Sequence, residues 1–325
     1  DLLDEWRRYE IKIPPPIATI LLELEQLLSE WQEDLQLALH KMADRQSVER
    51  TILFSHGVEC IPVPTHTLPP ASTTNTYLVG HSGGEHVLID PAARTKEGLQ
   101  SISRAIERVH QLGGSVKSLL FTHRHFDHVG DIEALQKCGP FEIMASRETS
   151  EYLPCDADII LADGDHLILQ SPEGPQEWKV LVTPGHCPGH VCLLGSAGLI
   201  AGDMVAGIGT ILIPPEEGVM EDYIEQLKRL KDLNPHILFP SHGPMLPLPE
   251  KTLEYYIKHR TARHQRVLDA VNSGITDLGA ISESAYENTP DAHPGLAKQQ
   301  TLSHLLAWQR SGEIFEQSRG WHPNG

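Results

Sequence analysis

Three histidines and an aspartate stand within six residues, at His123, His125, Asp127 and His128, directly behind the run Val116–Phe121, which is apolar except at Lys117 and Ser118. That run reads as a largely buried strand that stops where the polar residues begin. A strand that delivers several imidazoles and a carboxylate into one loop, Thr122–Asp131, meets the first requirement of a metal site. Neutral imidazole nitrogen and carboxylate oxygen are good ligands for zinc and similar divalent ions. Alternate residues of an extended segment project to one side, so His123 and His125 share a face. Asp127 and His128 then turn the chain and can reach a second position beside the first. A surface loop incidentally rich in histidine is the competing reading, and this density at a strand end weighs against it.

The pattern recurs along the chain. Val180–Thr183 ends in Pro184-Gly185-His186, Leu199–Gly202 ends in Asp203, Ile237–Ser241 runs into His242, and His86–Ile89 closes on Asp90. One histidine behind one strand is an ordinary loop residue. This many together make a common site the economical explanation.

The remaining elements suggest how such strands are carried. Residues 1–13 are mixed and charged, and Pro14-Pro15-Pro16 punctuates them. From Ile17 the positions Ile20, Leu21, Leu24, Leu27, Leu28, Trp31, Leu35 and Ala38 recur at helical spacing, which predicts one long amphipathic helix or two shorter ones over 17–45. This segment carries no chemistry. It can pack on the main domain, mediate association into a homodimer, or end a larger N-terminal domain. Short strands are predicted at Val58–Val63, Tyr77–Val79, His86–Ile89, 141–145, 158–162, 166–169, 178–183, 191–194, 198–201 and Ile237–Phe239, with helices at 95–112, 131–137 and 219–232. Strands in runs with helices between them predict an α/β domain whose sheets carry helices on their outer faces. After about 249 the β signal disappears. A helix over 250–272 and two or three more to about 316 predict a small helical domain.

Composition narrows the class. The chain has 325 residues, 40% hydrophobic and 22% charged, ordinary for a soluble globular protein with a main domain and a smaller one. No unbroken apolar run is long enough for a bilayer. A secretory signal is not recognisable, and the numbered chain begins at Asp1 rather than Met, as a piece of a longer protein would. Five cysteines without metal-type spacing fit reduced thiols in a cytoplasmic protein. The net charge of −18 repels polyanions at long range, so nucleic-acid binding would need a local basic patch. Lys258, His259, Arg260, Arg263, His264 and Arg266 could form such a strip, or merely a solvated helix face.

The order Thr122-His123-Arg124-His125-Phe126-Asp127-His128, Pro184-Gly185-His186, Gly202-Asp203 and Ser241-His242-Gly243, with Asp90 ahead of them, resembles the metallo-β-lactamase superfamily over roughly 55–248. The resemblance implies an αββα sandwich with metals at one edge of two facing sheets. It implies that His123, His125 and His186 bind a first ion, that Asp127, His128 and His242 bind a second, and that Asp203 bridges both. The ions would be zinc, with iron or manganese as alternatives. Asp90 matches the acid that steadies the histidine loop, although a turn-forming aspartate is an equal reading. His190, which repeats the Pro-Gly-His shape, is left without a ligand role, and Cys187 reads as a small buried side chain. The expected parts are a helical extension over 1–54, the catalytic domain over 55–248 and a C-terminal helical, winged-helix-like domain over 249–325.

Two such ions lower the pKa of a shared water toward neutrality. The nucleophile so made would attack an ester, a thioester or a phosphodiester, with Asp127 orienting it as the catalytic carboxylate. Asp203 stands where true β-lactamases carry Cys or Ser, which sets antibiotic hydrolysis low. The C-terminal run, with Tyr256–Arg260 and Ala285–Pro290, resembles the lactamase-like endoribonuclease group with its winged-helix-like domain. The alternatives are therefore a small-molecule ester or thioester, in the manner of glyoxalase II, a short single-stranded RNA, and last a binding protein with a degenerate metal site.

Overall fold

A computed structural model of the chain describes residues 2–30, 34–44, 51–318 and 320–324. Seven strands form the first sheet in sequence order: β1 (Ile52–Ser55), β2 (Val58–Pro64), β3 (Thr73–Val79), β4 (Glu85–Ile89), β5 (Ser115–Leu120), β6 (Glu142–Ser146) and β7 (Ile159–Leu161). β1 to β4 pair antiparallel, whereas β4 to β7 pair parallel. The second sheet has the order β12 (Leu238–Pro240), β11 (Gly198–Gly202), β10 (Val191–Gly195), β9 (Gln176–Val182) and β8 (His166–Leu169).

Alternation along the strands builds three apolar layers. Val87 and Ile89 of β4 and Leu120 of β5 point between the sheets, where they meet Trp178, Val180, Leu193, Ile200 and Phe239. Leu88 and Leu119 point the other way, onto α4 (Lys96–Gln111) and α5 (Ile132–Gln136). The register slips between His86 and Val87, so Val116 falls on the helix side although Leu120, of the same parity, faces the second sheet. On the second sheet Leu181, Cys192, Leu199 and Ala201 face outward to α7 (Met220–Asp232) and α8 (Pro249–Asn272). The result is the αββα sandwich that the resemblance implies. The four-residue helix α6 (Arg147–Ser150) links β6 to β7.

The helix expected over 17–45 is two: α2 (Pro15–Glu30) and α3 (Leu35–Asp44), preceded by α1 (Leu2–Arg7). Trp31 and position 45 of that expectation lie outside the described residues. Leu3, Trp6, Ile13 and Ala18 make their own small core against Leu53 of β1, a strand that the sequence reading passed over.

The helical tail is α8, α9 (Leu278–Tyr286) and α10 (Pro294–Arg310), and Ala307 of α10 joins the outer core of the second sheet. The expectation that β structure ends near 249 is wrong. β13 (Ile314–Gln317) and β14 (Gly320–Pro323) form an antiparallel hairpin whose Ile314 and Trp321 are buried among the three helices. Helices with one appended hairpin give the winged-helix-like character. Among the described residues no helix is long and apolar enough to cross a membrane.

Candidate active site

All seven ligand candidates converge where strands of both sheets end. β5 ends at Leu120 and releases the histidine loop, β9 ends at Val182 before His186, β11 at Gly202 before Asp203, and β12 at Pro240 before His242. Two glycines make the approach. Gly202 has φ +51°, and a Cβ there would lie 2.4 Å from His190 Nε2. Gly185 has φ +132°, and a Cβ there would lie 2.3 Å from the Tyr223 backbone nitrogen. Only glycine turns both chains without collision.

The outer nitrogen of each imidazole has a partner that fixes its tautomer. Thr122 Oγ1 gives its proton to Asp90 Oδ2 (2.6 Å), so it accepts from His123 Nδ1 at 3.0 Å. His125 Nε2 donates to Glu217 Oε1 at 2.6 Å, and His186 Nδ1 donates to the Leu212 carbonyl at 2.9 Å. The inner nitrogens are therefore bare. His125 Nδ1 stands 3.1 Å from His123 Nε2 and 2.9 Å from His186 Nε2, three lone pairs aimed at one another. A shared electrophile is what such an arrangement accommodates.

The same logic repeats next door. His128 Nδ1 donates to Asp90 Oδ2 (2.9 Å) and His242 Nδ1 to the Thr73 carbonyl (3.0 Å), which turns both Nε2 atoms toward the centre. Asp203 lies between the two groups: Oδ2 is 3.6 Å from His186 Nε2, and Oδ1 is 3.5 Å from His242 Nε2 and 3.6 Å from His128 Nε2. Asp127 Oδ2 is 3.6 Å from His242 Nε2. His128 Nε2 and Asp203 Oδ1 are buried without a hydrogen-bond partner. An orphaned imidazole nitrogen and carboxylate oxygen buried at the centre of a histidine and aspartate cluster fit a cation. The side chains thus form neighbouring groups able to hold metal.

Electrostatics agree. Burial pushes His123 well below the ordinary imidazole value, and it pushes His186 down to about 4, so both stay neutral and ready to ligate. Burial also opposes charge on Asp203, but His128 and His242 outweigh it and hold the carboxyl well below its usual range. His128 is the exception: burial is outweighed by Asp203, Asp127 and Asp90, which drive it up, so its Nε2 carries a proton that a bound cation would displace.

Asp90 is more than a turn residue. Besides His128 and Thr122 Oγ1 it accepts the Thr122 backbone N–H at 2.7 Å, holding the head of the histidine loop from a backbone with φ +47°. His190 is fully buried; its Nε2 accepts the Asp203 backbone N–H (3.0 Å) and its Nδ1 faces Thr183 Oγ1 (2.8 Å), so no nitrogen is left for a metal. Cys187 lies beside His123, His125 and His186, but burial pushes its thiol up and keeps it protonated. Glu217 was not foreseen. It binds His125 and also Arg124, whose guanidinium stacks 3.8 Å over Tyr152. Nothing in the sequence separates it from Glu216 beside it.

A cleft of about 680 Å³ opens over this centre. His125, Asp127, His186, Asp203 and His242 line its floor, the loop His66–Ala71 and residues 208–212 its sides, and α8 and α10 its far wall. Neither the basic strip nor the solvated face weighed for α8 exists as a continuous surface. Arg260 and Arg263 are buried, His259 and His264 half-buried, and only Lys258 and Arg266 are exposed. The spacing Leu253, Tyr256, Arg260, Arg263, Val267 and Val271 holds the signal, since it puts both arginines on the apolar face of the helix.

The description "Metallo-beta-lactamase superfamily" belongs to the family model matched by residues 69–242. The "Beta-lactamase-like protein 2 homolog" of Drosophila melanogaster is 29% identical over 74% of this chain and 84% of its own. The "Atrochrysone carboxyl ACP thioesterase" of Aspergillus fumigatus is 27% identical over 62% of this chain and 60% of its own. The crystal structure of a beta-lactamase domain protein from Burkholderia ambifaria superposes with a TM-score of 0.68 at 20% identity, over 86% of this chain and 97% of that one, which shows a shared fold. Since the match spans more than half of the chain and holds every strand end that feeds the centre, the chain belongs to the metallo-β-lactamase superfamily and is a hydrolytic enzyme.

Proposed function

We propose that the chain is a dinuclear metal-dependent hydrolase of small-molecule thioesters, with zinc as its metal. The observation that carries the reading is the set of bare inner nitrogens on one side of Asp203 and orphaned buried polar atoms on the other, imidazoles and carboxylates that suit zinc and are also accepted by iron and manganese. His123, His125 and His186 would hold one ion, and Asp127, His128 and His242 the other, with Asp203 shared. When bound, such ions acidify water toward neutral pH and polarise the electrophile. The chain does the rest. Asp127, partly open to the cleft, orients the attacking water and holds its proton. Asp90, Glu217, Leu212 and Thr73 hold the imidazoles to one tautomer, so no reorganisation is needed during reaction. Water adds to the thioester carbonyl, the C–S bond breaks, and the products are a carboxylic acid and a thiol.

The thioester is favoured by relatives bearing that name, the Aspergillus fumigatus enzyme and a thioesterase of Emericella nidulans at 29% identity. RNA is disfavoured, because the basic strip that would hold it is half interior. Within this reading the parts 1–54, 55–248 and 249–325 are an extension, a catalytic domain and a cap, the last supplying the cleft wall. Metal analysis with a hydrolysis panel of thioester, lactone, lactam, phosphodiester and single-stranded RNA tests it. Two ions per chain with fastest turnover of the thioester is expected. A protein that takes up no metal, or that cleaves RNA fastest, overturns it.

A further inference from the structure

The far wall of the cleft carries two guanidinium groups with no counter-ion. Arg260 is 2% exposed and Arg263 4%. Arg260 donates from Nη1 to Gln300 Oε1 (3.0 Å) and from Nη2 to the Ile211 carbonyl, and it lies 5.4 Å over the Tyr223 ring. Arg263 donates from Nη1 to the Ala285 carbonyl and Asn288 Oδ1 (3.3 Å) and from Nη2 to Thr289 Oγ1 (2.8 Å), and it stacks 3.7 Å over Tyr286. Every one of these partners is neutral. Among the described residues neither arginine has a carboxylate within ion-pair distance. The acids nearest in sequence are engaged elsewhere, Glu254 with Lys258 and Asp269 with Gln265. Asp291 lies in the same cleft lining but is exposed and pairs with neither.

A buried charge without a partner is strongly unfavourable, and arginine cannot escape by losing its proton. The wall is short of acceptors as well. Arg260 Nε, Arg263 Nε and Gln300 Nε2 are buried without partners, and all three are donors. Gln300 cannot turn its oxygen to help, because that oxygen already accepts from Arg260 and from the Ile213 backbone N–H at 3.1 Å. Burial, with the charges of Arg260 and Arg263 beside it, pushes His259 on the same wall down to about 4. A chain with net charge −18 has acids to spare, and among the described residues none pairs with either guanidinium.

We infer that the missing negative charge is the substrate's: the cleft takes a molecule with a carboxylate or phosphate group, seated against the Arg260–Arg263 wall while its scissile bond lies at the histidine and aspartate floor. The inference rests on the hydrolase reading above for what happens at the floor, but the wall makes its own demand. The planar, always-charged fork of arginine suits both oxyanions. Ile208, Ile211 and Leu296 line the same cleft and give it an apolar side along which a linking chain can lie. The preferred substrate is thus an anionic thioester.

The test uses the metal-loaded full chain and three non-hydrolysable thioether analogues of one thioester, identical except for a neutral, a carboxylate or a phosphate terminus. Binding is measured by calorimetry in the wild type and in Arg263→Gln and Arg263→Lys. The expected result is that at least one anionic analogue binds the wild type about ten-fold or more tighter than the neutral one, as a charge-assisted contact provides. The ratio should collapse toward one in Arg263→Gln and be partly kept in Arg263→Lys. Whichever anion wins identifies the group. Equal binding of all three analogues, binding of none, or a preference that survives Arg263→Gln overturns the inference. If Arg263→Gln does not fold, the wild-type ratio and the Lys variant decide. Turnover of the matching thioesters is read separately: an intact charge preference without cleavage sinks the hydrolase reading and leaves the anion site standing.

Discussion

Glu217 offers a sharp perturbation, because it touches one imidazole of the centre and no other. Its Oε1 accepts from His125 Nε2 at 2.6 Å, and its other oxygen engages Arg124. That contact fixes the tautomer that leaves His125 Nδ1 bare, and it holds the carboxyl of Glu217 down at about 2, chiefly through the His125 hydrogen bond, with Arg124 adding to it. Removing an acceptor behind a metal-ligating histidine costs about 10–100-fold in metal affinity. At about 1.4 kcal/mol per ten-fold, that is roughly 1.4–2.8 kcal/mol. Glu217→Ala should therefore weaken the ion held by His123, His125 and His186 by about that factor and leave the neighbouring ion nearly unchanged. Glu217→Gln keeps an acceptor oxygen and loses the charge, so its deficit should be smaller. Competition against a chelator, with cobalt as a spectroscopic reporter of each site, measures both affinities, and melting curves check the fold. Wild-type affinity at both sites in Glu217→Ala would refute the tautomer argument, and so would an equal loss at both.

Two further outcomes follow from the same geometry. Gly202→Ala places a Cβ 2.4 Å from His190 Nε2 at a backbone of φ +51°, so the Asp203 carboxylate must shift; turnover should fall by two orders of magnitude or so, and metal content should fall with it, while wild-type activity would contradict the stated role of this turn. In metal-stripped protein, His186, His259 and His264 are each held at about 4, mainly by burial, against an unfolded value near 6.5. The unfolded chain then binds more protons between those values, so their contribution to stability is complete above pH 6.5 and is lost as pH falls toward 4. Urea midpoints across pH 4–8 should drop on the acid side, more steeply with metal than without it because each ligating imidazole must then release metal to take up a proton, and a flat profile would contradict the buried neutral state.

The sequence announced the site through strands that stop at ligating residues. Val116–Phe121, Leu199–Gly202 and Ile237–Phe239 are short, largely apolar runs, so their ends could be placed to within a residue or two, and the side chains behind them are ones that chelate metal. Glu217 had no such marker. It sits in an irregular loop, and its role comes from where the chain folds back onto His125. Arg260 and Arg263 were misread for a different reason. Arginine on a helix is usually solvated, and that expectation overrode the apolar-face spacing of these two, which the packing of α10 and the Ala285–Thr289 segment against α8 makes interior. The C-terminal hairpin went unseen because one strand, Ile314–Gln317, buries a single residue and the other, Gly320–Pro323, carries only Trp321 into the core. β1 was missed likewise, since Ile52–Ser55 is too short to show a period and gains its partner only when β2 turns back at Gly57.

Metal stoichiometry in two variants tests the central claim most directly. Asp203 lies between the two groups of imidazoles, whereas His242 faces only one of them. Plasma emission analysis of the wild type should give two ions per chain; His242→Ala should retain the ion held by His123, His125 and His186; Asp203→Ala should weaken both sites and abolish hydrolysis. An Asp203→Ala protein that still carries two ions and still turns over would contradict the account.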